Sequence, residues 1–191
     1  MAVATAGTFG DDSAGVGGLR IRVPEDGMAD RALDIYLNDH LAGATMGQDL
    51  ADRLASRTEG TPFGSEMATI AREITEDKET LENLMEAVGT TRNPVKQGLA
   101  WISEKASRLP LSGAGSGDSD MGTFLSLETL SLGVEGKIGL WQALDEVADR
   151  YPAFADTDFG SLTERGQRQR AALERERMEY GSRVLREDED A

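Results

Sequence analysis

Residues Met28–Arg57 read MADRALDIYLNDHLAGATMGQDLADRLASR. Within them Leu33, Leu37, His40, Ala44, Gly47, Ala51 and Leu54 recur at alternating intervals of four and three. That interval follows one face of an α-helix, and Leu41 and Leu50 widen the stripe. Asp26 is a candidate N-cap and Gly60 lies just past the expected end. A helix this long, about 45 Å at 1.5 Å per residue, is held by partners along its whole length. The stripe carries one polar residue, His40, and two small ones, Ala44 and Gly47, where a neighbour can come close.

The same pattern returns further along. A second helix is expected over Pro62–Val88, with Thr61 as N-cap, Pro62 in the first turn and Gly89 as the stop. Its stripe is Met67, Ile70, Ile74, Asp77, Leu81, Leu84 and Val88. A shorter helix is expected from Asn93 to about Ser107, followed by a Gly/Ser/Asp-rich loop over 112–120. A third long helix spans Met121–Arg150 with Tyr151-Pro152 as the stop. It is apolar on nearly every face up to Leu144, the signature of a helix contacted on several sides. A fourth runs over Ser161–Arg186, where Ser161 and Glu164 form a capping box. Its thin stripe includes Gly166, Gln169, Leu173, Glu176 and Tyr180.

This order predicts an all-α fold, an up-down four-helix bundle. Short turns make helices 1 and 2, and helices 3 and 4, antiparallel neighbours. The long connection between helices 2 and 3 carries the short helix across the bundle. Residues 1–23 read as a flexible arm, 24–187 as the bundle domain, and 188–191 as an acidic tail.

Composition narrows the function classes. The chain has 191 residues, 35 acidic against 20 basic side chains, and a formal net charge of −15. Such a surface repels phosphate backbones and anionic headgroups, so neither nucleic acid nor membrane is an expected partner. With no cysteine, thiolate nucleophiles and iron–sulfur clusters are excluded. The N-terminus lacks the pattern of a secretory signal, and a cytoplasmic location is expected. No Gly-x-Ser-x-Gly elbow or phosphate loop is present.

The polar interruptions of the stripes are the candidates for chemistry. His40 interrupts the first, Asp77 the second with Glu73 beside it, Glu128 and Glu135 the third, and Glu176 the fourth. Buried groups of this kind need pairing, hydrogen bonds or a metal. One imidazole with several carboxylates suits Mn, Fe or Zn. A His–carboxylate hydrogen-bond network would satisfy the same groups and fix the register of the helices. Glu135, followed by Gly136-Lys137, has the further option of pairing on a helix face.

Two helical hairpins, a long crossover and inward acids over residues 28–187 resemble the ferritin-like superfamily, in particular an uncharacterised bacterial branch of it. The resemblance implies a carboxylate metal site; the residues placed to supply a reduced one, for Fe or Mn, are His40, Glu73, Asp77, Glu128, Glu135 and Glu176. Di-iron members carry two Glu-x-x-His motifs. This chain has none, and His40 is its only histidine. The expectation is therefore a bundle with a structural or interaction role, a polar core network around His40 and a degenerate di-iron site. The alternative is a metal-binding oxidoreductase or metal-storage protein with a reduced ligand set. Apolar surface on helix 3 suits a homodimer or a protein partner. A third class is a ligand carrier, if Ala44, Gly47, Gly133 and Gly139 leave a cavity instead of permitting close packing.

Overall fold

The computed structural model describes residues 25–91 and 120–186, and within them side chains from Asp30 onward. Four long helices carry the fold: α1 (Glu25–Thr58), α2 (Gly64–Ala87), α3 (Asp120–Glu146) and α4 (Phe159–Val184). No strand occurs among the described residues. The expected arm over 1–23, the helix over 93–107 and the tail over 188–191 lie outside them, as does the loop over 112–120 except for Asp120, which begins α3.

Side-chain pairs give the direction of each helix. Asp34 meets Thr90 at 2.5 Å and Gln48 meets Thr75 at 3.1 Å, so α1 and α2 are antiparallel. Along α4, Arg165 meets Asp77, Gln169 meets Glu73 and Arg175 meets Glu66, so α4 ascends as α2 descends. Glu128–Arg177, Ser131–Glu174 and Glu135–Arg170 run α3 against α4 in the same sense. It follows that α2 and α3 are parallel. The end of α2 and the start of α3 stand at opposite ends of the helix stack. α3 and α4 form the most extensive pairing, α1 and α2 the next, and α1 also packs on α3. α2 and α4 approach least closely of the neighbouring helices, and long polar side chains span the gap between them.

Two apolar clusters fill the interior. One is built on Leu54, Met67, Leu127, Leu130 and Leu173. The other gathers Leu37, Leu81, Met85, Trp141, Leu144, Phe154 and Phe159 toward the opposite end. Two glycines of α4, Gly166 and Gly181, permit its tight seat on α3. A Cβ at Gly166 would stand 2.7 Å from Ile138, and one at Gly181 would stand 2.8 Å from Phe124.

The ends of the helices correct several expectations. Thr61 does not cap α2; its hydroxyl donates to the carbonyl of Thr58 and closes α1, next to a reversal at Gly60 (φ +80°). α2 starts after Phe63, with no side-chain cap. Gly89 ends α2 as expected: its φ of +73° lets the Thr90 amide return to the Met85 carbonyl. Asp26 lies inside α1. The third helix stops at Glu146, and Ala148–Arg150 and Pro152–Phe154 follow as separate 3-10 turns. Asp158 takes the capping role given to Ser161: it accepts from the Ser161 amide at 2.9 Å and from its hydroxyl at 2.7 Å. α3 is not buried all round, since Leu132 is 69% exposed. None of the described helices is long and apolar enough to cross a membrane.

Candidate functional site: a buried ionic network at Asp77

Asp77 stands on the buried stripe of α2, one turn after Ile74 and one before Leu81, and only 1% of its surface is exposed. A carboxylate there needs strong partners, because removing it from water costs on the order of several kcal/mol. It has two. The Lys137 ammonium donates to Oδ2 from α3, and the Arg165 guanidinium donates to Oδ1 from α4. Both oxygens of the carboxylate are therefore engaged by cations.

The cations are held in turn. Lys137 also donates to Gln169 Oε1 at 2.6 Å, and the Gln169 amide donates to Glu73 Oε2 at 2.8 Å. Gln169 is itself 2% exposed, so its amide acts as a relay between α3 and α2 inside the interior. Arg165 reaches Glu76 at 3.3 Å, and Glu76 takes a second bond from Arg72 at 2.7 Å on its own helix. Glu73, Glu76 and Asp77 thus face Lys137 and Arg165, with charge nearly balanced. Burial pulls the Lys137 pKa below its ordinary range, opposed by the Asp77 carboxylate beside it. The Nε of Arg165 is buried with no acceptor.

The six residues expected at a metal centre are dispersed. Glu73 and Asp77 belong to the network. Glu128 is paired with Arg177 at 3.4 Å on the α3–α4 seam. Glu135 is exposed and pairs with Arg170 at 3.2 Å, the helix-face option. Glu176 lies eleven residues beyond Arg165 on α4, about 16 Å at 1.5 Å per residue. Its carboxyl is pushed up, first by burial and then by the nearby Glu179. His40 packs its ring edge-on against Tyr36, centroids 4.5 Å apart, and burial pulls its pKa below the ordinary 6.5. The polar core is therefore centred on Asp77, and His40 takes no part in its hydrogen bonds, contrary to the expected network around His40. Among the described residues, no three His, Asp or Glu side chains converge as a metal-binding group.

No family model, curated protein or solved structure matches this chain. The chemistry of the site is therefore read from its own groups. Lys137 is the residue the sequence reading passed over. It stands in the series Leu130, Val134, Lys137, Trp141, Leu144, which keeps the four-three interval of a buried stripe. That spacing marks it as inward, and its partner was the inward acid on α2. Arg165 precedes Gly166 on the thin stripe of α4 and carries no comparable signal.

Proposed function

We propose that this chain is a non-catalytic, ferritin-like bundle with a structural or interaction role, in which an ionic network takes the place of a metal centre. The observation that carries this reading is Asp77, the deepest inward acid, with a cation on each oxygen. A divalent ion seeking that carboxylate has to displace two charge-assisted hydrogen bonds. It also has to sit beside an ammonium and a guanidinium. At 4 Å and an effective dielectric of about 20, a divalent ion and one such cation repel by roughly 8 kcal/mol. The carboxylates that would offset this, Glu128 and Glu135, are committed to arginines on another seam. The run of helices, two antiparallel pairs with α2 parallel to α3, supports the ferritin-like assignment.

The network suits a registry function. Its members come from three helices and satisfy one another only in one alignment of α2, α3 and α4. Partners of the bundle would bind outside it. Ile35 and Leu132, 59% and 69% exposed, are apolar side chains available for a second copy or another protein. The test is thermal melting with Mn(II), Fe(II) or Zn(II) added under anaerobic conditions. A ligand that binds the folded state raises the melting temperature by mass action. The reading predicts no specific rise. A rise of several degrees at near-stoichiometric metal, abolished by Asp77→Asn, overturns it.

A further inference from the structure

α1 and α3 do not close on each other along their whole contact. Between them, floored by α2, lies a hollow of about 770 Å³. This is the size of a small-molecule site, and sites between the helices of a bundle are common. Its walls are mainly apolar: Leu50, Ile74, Leu81, Leu130, Val134 and Leu140. Glycines hold it open. A Cβ built at Gly43, Gly47, Gly133 or Gly136 would meet nothing within 4 Å, and all four residues line the hollow. The contrast with Gly166 and Gly181 is direct, since there a Cβ would collide with the facing helix. Small residues on α4 serve close packing; those on α1 and α3 leave space. Of the residues expected to frame a cavity, Ala44, Gly47 and Gly133 do so, and Gly139 is not among the lining residues.

The polar inventory of the hollow selects an occupant. Asp77 and Lys137 reach it but are bonded to each other, and Lys78 is bonded to Glu82 at 2.8 Å. Trp141 also lines the hollow, is 1% exposed, and its indole N–H has no acceptor. An indole N–H is a donor only, and a buried one normally finds a partner. The charged residues that line it balance, with Asp39, Asp49 and Asp77 against Arg53, Lys78 and Lys137, so nothing in the hollow calls for a charged ligand. We infer that the hollow binds a neutral lipophile carrying a single hydrogen-bond acceptor, a carbonyl or ether oxygen, which takes the Trp141 N–H. This goes beyond the structural role proposed above and does not depend on it.

The probe is 6-propionyl-2-(dimethylamino)naphthalene, a neutral ketone whose emission moves to the blue in apolar surroundings, titrated against the full chain. Saturable, one-to-one binding with a blue shift is expected. Gly47→Leu and Gly133→Leu, made separately, fill the open space and are expected to weaken binding at least tenfold. Circular-dichroism melting identifies any variant that has lost its fold, and the other then decides. Trp141→Phe keeps the apolar ring, removes the donor, and is expected to weaken binding several-fold. The anion 1-anilinonaphthalene-8-sulfonate is expected to bind at least tenfold more weakly than the ketone. Absence of binding by the wild type, for instance because another part of the chain fills the hollow, overturns the inference. So does binding indifferent to both leucine variants or to Trp141→Phe, and so does preference for the anion.

Discussion

Truncating Asp77 to alanine leaves Lys137 and Arg165 facing an interior that no longer holds their shared counter-charge. Glu76 still reaches Arg165, at 3.3 Å, and Gln169 still accepts from Lys137, at 2.6 Å, but neither replaces a buried carboxylate. Removing one partner of a buried ion pair costs about 3–5 kcal/mol, mostly because a charge is left stranded. Domains of this kind have a total stability of about 5–15 kcal/mol, so Asp77→Ala removes a large part of it. Removing two partners together is different. Asp77→Leu with Lys137→Met takes out both an acid and a base and fills the space with apolar atoms. The double variant is expected to recover about 2 kcal/mol or more of the loss seen in Asp77→Ala, as replaced buried pairs do elsewhere. The surface pair Glu135–Arg170, with side chains 55% and 48% exposed, sets the scale for comparison. Its removal should change stability by about 0–1 kcal/mol. Urea denaturation with linear extrapolation measures all three, provided the slope is unchanged. An Asp77→Ala loss below about 1 kcal/mol, or losses at 77 and 137 that simply add, would refute the claim that these charges act as one unit.

Three further outcomes test the packing and the titration. Gly166→Ala forces a Cβ to within 2.7 Å of Ile138 and should destabilise by about 1–3 kcal/mol; a loss independent of Ile138→Ala in a double-mutant cycle would contradict the collision. Gly89→Ala, at φ +73°, should cost about 1 kcal/mol, whereas Gly43→Ala, in a helix with open space around it, should gain about 0.5–1 kcal/mol; equal signs in thermal melting would contradict the contrast. For His40, burial holds the folded pKa below 6.5, so as pH falls the unfolded chain takes up the proton first. Stability should therefore drop as pH falls from about 6.5 through the folded value and level off below it, with no contribution above about pH 7. His40→Gln should flatten that drop in urea titrations repeated across pH 4–8; an identical profile in the variant would remove His40 as its source.

The helices were legible because each carries a long stripe at the α-helical interval, and tertiary packing reinforces that local pattern instead of opposing it. Their ends were less legible. Asp158 and Ser161 both have cap chemistry, and sequence alone does not say that Ser161 serves Asp158 as the donor. The break after Glu146 was hidden because Val147 and Ala148 continue the apolar run into what becomes a 3-10 turn. At the site, Asp77 was found by the same argument that set Glu128 inward, while Glu135, beside Gly136-Lys137, also had the helix-face option that it takes. An acid in a stripe is inward only if no cation on the adjoining helix can draw it to the seam. Arg177 and Arg170 do so for those two glutamates. The role of Lys137 was available in its spacing but was masked by its neighbours Gly136 and Glu135, which suggested a surface position. Whether small residues mean a hollow or a close contact depends on the facing helix, which one helix's sequence does not specify.

The inward acid of α2 is neutralised by Lys137 and Arg165, which leaves it no expected role as a metal ligand. Elemental analysis of protein purified from cells grown with added iron, manganese and zinc tests it most directly, with Asp77→Asn analysed in parallel. The account predicts far less than one metal per chain in both proteins and a wild-type melting temperature unchanged by chelator. One or two metals per chain in the wild type, lost in Asp77→Asn, would contradict it.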